Sequence, residues 1–217
     1  MSASFADRTI GEIAATLPGA TAIFRRHKLD FCCGGGIPLA EAAAKRAAPL
    51  DEIETALAAL APGDVALPQD VDGLIDLIVT RYHAVHRREL PELIALARRV
   101  ERVHAANPDV PAGLADLLST MEEELVDHMA KEEQVLFPMM RRGGHPMIGS
   151  PIAMMRHEHD SHGEHLEEVE RLTHGGQPPA EACNTWRALY AGTRKLAEDL
   201  TEHVHLENNI LFPRFGA

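Results

Sequence analysis

Apolar residues recur at steps of three and four along most of the chain, the period of helices that bury one stripe. From residue 9 to about residue 60 the pattern is short and interrupted by Pro18, the loop from Cys32 to Gly36, Pro38 and Pro49. It predicts a small module of short helices. Thr9 and Glu12 have the spacing of a capping box, in which hydroxyl and carboxylate both satisfy free amides at a helix start. Residues 61–70 carry two prolines and a glycine and mark a boundary. Beyond it four long periodic segments, 71–105, 111–140, 151–174 and 179–211, are separated by breaks containing Pro, Gly or Asn. Antiparallel packing is the simplest way to bury their stripes against one another. The predicted architecture is all-α: a small helical domain with paired cysteines at 1–62, a linker at 63–70 and a four-helix bundle at 71–217.

Some positions on the long stripes are polar. In the second segment the seam runs through Leu118, Met121, Leu125, His128, Glu132, Val135 and Met139; in the fourth it runs through Leu196, Leu200, His203, Glu207 and Ile210. The two segments repeat one another, HMAKEEQVLFP from His128 and HVHLENNILFP from His203, with His, Glu, Leu, Phe and Pro at equal offsets. Each His/Glu pair is four residues apart, which on a helix places the Cβ atoms about 6 Å apart on one face. The first and third segments also match, His83 and His86 against His159 and His162, again among seam leucines, valines and methionines. A single seam histidine is ordinarily a hydrogen-bonded core residue. Two matched His/Glu pairs are another matter, because burying that many imidazoles and carboxylates uncompensated costs several kcal/mol each. Inward-facing carboxylates and histidines from four helices are the recipe of di-iron and di-manganese bundles, and nitrogen and oxygen donors without thiolate suit those metals, with zinc not excluded. Spacing alone leaves open the choice within His83/His86 and within His159/His162; the other member of each pair can orient a ligand. His104 lies about 31 Å beyond His83 along a helix, too far to share the site. His157, His165, His174 and His205 fit the seams less well and read as solvated or supporting residues, and Cys183 as a small core residue.

Composition narrows the function. The 217 residues are 45% hydrophobic but only 4% aromatic, and alanine and leucine dominate, which favours helix over sheet. A formal charge of -12 excludes nucleic acid and anionic membrane surfaces as natural partners, since both need a basic footprint. There is no basic stretch followed by an apolar run at the start and no spanning segment, so the expected location is the cytoplasm. Three cysteines, two of them adjacent, do not make a disulfide framework. The loop DFCCGGG instead sets Cys32 and Cys33 among glycines shortly before a helix near Pro38. A helix N-terminus there is expected to favour the thiolate, for iron binding, thiol exchange or reaction with nitric oxide; the plain alternative is a tight turn with small buried cysteines.

Taken together, DFCCGG, RYHAVH, VERVHA, HMAKEEQVLFP, HEHD and HVHLENNILFP resemble the Repair of Iron Centres family of di-iron proteins over nearly the whole chain, with the cysteine domain and the hemerythrin-like bundle in the family's order. The resemblance implies iron ligands at His83, His128, Glu132, His159, His203 and Glu207, with Glu132 and Glu207 bridging two iron ions that also share an oxo group. It places the family's cysteine pair on Cys32 and Cys33, and the paired thiols themselves suggest a relay for iron. The implied function is repair of iron–sulfur clusters damaged by nitric oxide or peroxide, by donation of iron to damaged iron–sulfur proteins, and the implied assembly is a homodimer. The alternatives are a nitric oxide reductase working at the same metal pair and a hemerythrin-like sensor of oxygen or nitric oxide. Departures from the family pattern are a third glycine, Gly36, and extra histidines such as His162 and His205.

Overall fold

The structure is a computed structural model that describes residues 4–60 and 67–216. The expected linker at 63–70 therefore falls in part, over 63–66, outside the described residues. Helices account for all regular structure among the described residues apart from one isolated bridge between Thr9 and Pro38. No helix there is long and apolar enough to cross a membrane. The chain divides into two compact units, Met1–Leu74 with Glu202–Ala217, and Ile75–Thr201.

The first unit holds α1 (Ile10–Thr16), α2 (Ala20–Arg26), α3 (Leu39–Lys45) and α4 (Leu50–Ala58) around Ile10, Ile13, Phe24, Phe31, Ile53 and Leu57. The breaks fall where the prolines and the glycine loop predict. Only half of the expected capping box forms. Thr9 Oγ1 accepts from the Glu12 amide at 3.2 Å, while the Glu12 carboxylate accepts from Arg8 Nε at 3.0 Å, an exposed cation taking the acceptor that would have turned back to the helix start. The cysteine loop is pinned from both ends. The Asp30 carboxylate accepts from the amides of Cys33 and Gly34 at 3.0 and 2.9 Å, and the Gly11 amide donates to the Gly35 carbonyl at 2.9 Å. A Cβ at Gly35 would stand 2.5 Å from the Phe31 carbonyl oxygen and 3.2 Å from Gly11 Cα, so that position has room only for glycine.

The second unit is built on the long helices of a four-helix bundle. α5 (Val71–Leu77) enters it and leads through a π-helical turn, Ile78–His83, into α6 (Ala84–Val103). α7 (Leu114–Lys131) continues through a second π-turn, Glu132–Leu136, into α8 (Phe137–Arg141). α9 (Gly149–Leu172) is unbroken, and α10 (Asn184–His205) runs into a third π-turn, Leu206–Leu211, which belongs to the first unit. α6 lies along α7 and α7 along α9. α6 and α10 approach where Gly192 meets the Leu93 side chain, and they are joined outside by Lys195 to Glu89 and by Arg81 of the first π-turn to Asp199, both at 2.6 Å.

The π-turns correct the expected seams. A π-turn takes one extra residue to come round, so the buried stripe after it moves on by one position. Val135 and Met139 were expected inside; Val135 is 53% exposed and Met139 half-buried, while Leu136 and Met140 are each 1% exposed. On the fourth segment Ile210 is likewise only half-buried, and Leu211 takes the inner position. On the first segment the buried residues Ile78 and His83 stand a full π-turn apart. The shift sets opposite expectations for neighbouring residues: Val135→Glu changes unfolding free energy by less than about 0.5 kcal/mol, whereas Leu136→Ala costs about 2 to 5 kcal/mol. Chemical denaturation of the two variants checks this, and equal effects would place the stripe in unbroken α-helical register.

Candidate metal centre

Within the second unit the polar seam residues from three helices meet. His83, His86, His128, Glu132, His159 and His162 are all at most 2% exposed. Glu132 lies between two imidazoles, its Oε2 3.3 Å from His83 Nε2 and 3.5 Å from His128 Nε2, and His128 Nε2 stands 3.2 Å from His159 Nε2. His128, Glu132 and His159 each offer a ligand atom within 4.8 Å of the others. The ring of His83 also stacks on Phe137, with centroids 5.9 Å apart.

The outer edges of two of these rings are held by acids. His83 Nδ1 lies 2.7 Å from Glu133 Oε1, and His128 Nδ1 lies 2.8 Å from Glu158 Oε2. A carboxylate at Nδ1 takes the N–H and leaves the lone pair of a neutral imidazole on Nε2, facing inward. Both acids are anchored in turn, Glu133 by Arg87 at 2.8 Å and Glu158 by Lys131. The Glu158 carboxyl is held down to about 2, chiefly by the hydrogen bond from His128 and further by Lys131, against burial that raises it. Arg87 and His83 hold Glu133 below the usual carboxylate range although burial opposes them. Inward-facing imidazole lone pairs and a buried carboxylate oxygen around a common point form a donor set that fits a divalent or trivalent cation.

In the first unit, His203 and Glu207 continue the buried stripe of α10 past Leu196 and Leu200, both are 0% exposed, and His203 Nε2 lies 3.1 Å from Glu207 Oε1. The cysteine loop is tied to the residues that follow. Asn208 Nδ2 donates to the Cys32 carbonyl at 3.1 Å, and Asn209 Nδ2 donates to the carbonyls of Phe31 and Cys32 at 3.1 and 3.2 Å. His205 sits between them rather than in solvent. It is 1% exposed and edge-on to Phe31 with ring centroids 5.3 Å apart, and burial lowers its pKa to about 4.

Cys32 and Cys33 lie with their sulfurs 3.8 Å apart, and Cys32 Sγ is 3.3 Å from Asp30 Oδ1. The expected lowering of thiol pKa by a helix N-terminus does not arise at Cys32. α3 begins only at Leu39, and the Cys32 thiol is held well above its usual range by its hydrogen bond with Cys33, by burial and by the charges of Cys33 and Asp30. Cys183 reverses its expectation too. It is exposed immediately before α10, its pKa lowered to about 7 by the backbone amide of Trp186, then by His104 and the Thr185 amide, with His104 Nε2 3.3 Å away. His104 is placed by its ring contact with Trp186 at 4.9 Å. The two are far apart in sequence, and neither carries a local motif that announces the pair.

Residues 74–215 match the family described as Hemerythrin HHE cation binding domain, and residues 6–61 match ScdA_N, a Domain of Unknown function (DUF542). Among curated relatives, the iron-sulfur cluster repair protein YtfE of Cronobacter sakazakii is 50% identical over 216 residues, covering 97% of each chain. The proteins of the same name from Yersinia pseudotuberculosis and Citrobacter koseri are 48% and 47% identical over 214 residues, again with 97% of each chain covered.

Two outcomes follow from the local chemistry. Replacing Glu158 by Gln frees the tautomer of His128 and is expected to weaken metal binding about 10- to 100-fold, the usual cost of losing an outer hydrogen-bond partner. Competition with a chelator measures it, and an unchanged affinity would mean that the contact at Nδ1 does not orient the ring. Iodoacetamide near neutral pH is expected to alkylate Cys183 ahead of Cys32, with a pH midpoint near 7 that rises in His104→Ala. Peptide mass spectrometry reads both, and prior labelling of Cys32 would contradict the assignment.

Proposed function

Since this chain belongs to the hemerythrin HHE cation-binding family and, within it, to the iron-sulfur cluster repair proteins, we propose that it restores damaged clusters with iron carried in its own bundle. The observation that carries the reading is the buried arrangement of Glu132 with His83, His128 and His159, supported by the matching His203/Glu207 pair on the repeated segment. The ligand set proposed is His83, His128, Glu132, His159, His203 and Glu207, holding two iron ions, with Glu132 and Glu207 as the bridging carboxylates. The choice of His83 over His86 is favoured by the Glu133 contact that turns the His83 Nε2 inward, and that of His159 over His162 by the 3.2 Å approach to His128.

Such a centre supplies ferrous iron from imidazole and carboxylate donors, which hold it less firmly than thiolates or cluster sulfides do, so transfer to a damaged cluster runs downhill. The surrounding residues do the rest. Glu133 and Glu158 fix the tautomers of His83 and His128, and the apolar stripes on either side exclude water. Cys32 and Cys33 are the proposed relay. Their loop is fastened to Asn208 and Asn209, directly after Glu207 in the chain, and each thiol gives up its proton as it takes iron. Iron–sulfur proteins damaged by nitric oxide or peroxide are the proposed clients, in the cytoplasm, with the chain acting as a homodimer.

Anaerobic purification from iron-replete cells, followed by incubation with a nitric-oxide-damaged iron–sulfur protein, tests the reading. About two irons per chain are expected, falling together in His128→Ala or Glu207→Ala. Each chain should then lose iron in step with cluster recovery, and Cys32→Ser/Cys33→Ser should keep its iron but transfer it poorly. Zinc in the centre would overturn the di-iron assignment, repeated turnover of nitric oxide without loss of iron would make the protein a reductase, and full transfer by the serine variant would remove the relay.

A further inference from the structure

Cys183 holds a position at the start of α10 that ordinarily belongs to Ser, Thr, Asp or Asn. Its carbonyl accepts from the Arg187 amide at 3.0 Å, and its sulfur takes hydrogen bonds from the amides of Trp186 and Thr185, as a cap oxygen would. A serine would cap this helix as well, so capping alone does not account for a thiol. A second side chain meets it from the end of another helix. His104, the residue that closes α6, sets its Nε2 3.3 Å from the sulfur. The His104 ring lies 4.9 Å from that of Trp186, which is fully buried and is the third residue of α10, so one helix start positions both members of the pair. Cys183 itself is exposed. The charged groups beside it are Glu181, which accepts from Asn107 Nδ2 at 3.2 Å, and Arg187, whose guanidinium donates to the carbonyls of Ala182 and Ala180 at 3.0 and 2.8 Å.

We propose that Cys183 and His104 form a hydroperoxide-reactive site, at which the thiolate is oxidised to a sulfenate and restored by an uncharged small thiol. With hydrogen peroxide the sulfur attacks one oxygen, and the S–O bond forms as the O–O bond breaks. The sulfur gives up two electrons, and the leaving oxygen takes the proton of the attacked one and departs as water. The sulfenate is an anion like the thiolate it replaces, so the two helix amides that hold the one suit the other. Once protonated, it condenses with a thiol from solution to give a mixed disulfide and water, and a second thiol then displaces Cys183 as the thiolate. Reactivity of this kind needs an accessible thiolate at neutral pH, which the lowering of the Cys183 pKa to about 7 supplies. A neutral peroxide is favoured over anionic disulfides or nitrosothiols because the formal charge of -12, with Glu181 beside the site, repels anions. The site does not rest on the repair reading.

The test adds hydrogen peroxide under argon to the iron-loaded full-length protein, traps sulfenate with dimedone and quantifies the adduct by peptide mass spectrometry. Near neutral pH, Cys183 is expected to be labelled at least about tenfold faster than Cys32, whose thiol is held well above its usual range. The rate should rise with pH to a plateau, with a midpoint near 7 that moves upward in His104→Ala. Cys183→Ser, whose hydroxyl keeps the cap, should lose the adduct at that position with its iron content unchanged. Mercaptoethanol added before dimedone should erase the Cys183 adduct. The same treatment of Glu132→Ala/Glu207→Ala separates the site from the metal centre, and wild-type labelling of Cys183 is expected there. Labelling that disappears in that variant would make the oxidation a product of iron chemistry and overturn the site. Prior labelling of Cys32, an adduct that mercaptoethanol leaves in place, or pH profiles that superimpose for wild type and His104→Ala would overturn it as well.

Discussion

Glu132 and Glu207 have no access to water, and a buried carboxylate imposes a requirement on everything around it. Leaving one ionised and uncompensated inside a helical bundle costs several kcal/mol, more than a well-packed leucine at the same position would contribute. The neighbours of Glu132 are imidazole nitrogens, at 3.3 Å for His83 and 3.5 Å for His128, and the outer edges of those imidazoles are committed to Glu133 and Glu158. With Nδ1 of each ring beside a carboxylate, an N–H directed outward would leave a lone pair on Nε2. Nitrogen and oxygen donors disposed in this way suit a cation, and the outer hydrogen bonds orient those donors.

The helix geometry serves the same end. Among the described residues three π-turns occur, at Ile78–His83, Glu132–Leu136 and Leu206–Leu211, and each contains a proposed ligand or begins on one. An unbroken α-helix brings residues four apart onto one face; widening a turn at the ligand moves the polar residue relative to the apolar stripe on its far side. That lets Glu132 face inward while Leu136 and Phe137, rather than Val135, fill the core beyond it. α9 has no such turn; its His159 reaches His128 without any change of register, and its Glu158 holds the outer edge of the same ring.

The bundle, its four segments and the polar seam were legible because the signal is repeated: His128 with Glu132 and His203 with Glu207 stand at the same offsets in two segments, and apolar residues frame both. The positions beyond the His/Glu pairs, Val135, Met139 and Ile210, were not, since a π-turn leaves no mark in a pattern of threes and fours. Glu133 and Glu158 escaped for a related reason. They lie off the seam, and nothing in their spacing distinguishes them from the many solvated acids of a chain with a formal charge of -12. Cys183 and His104 come together only through tertiary packing on Trp186, and the lowering of the thiol depends on the α10 amides that sequence position alone would not single out.

The cysteine loop shows how a short, glycine-rich segment acquires a fixed position. Its own helices are too short to hold it, but Asp30 closes the turn on the amides of Cys33 and Gly34, and Asn208 and Asn209 bind the carbonyls of Phe31 and Cys32. Those two asparagines directly follow Glu207 on the third π-turn, so the backbone that carries a buried carboxylate also carries the clamp on the thiol pair. The carboxylate and the cysteine loop are therefore joined by two peptide units and a set of hydrogen bonds to main-chain oxygens. The asparagine side-chain amides hold that link, because releasing them would leave half-buried main-chain carbonyls without their partners.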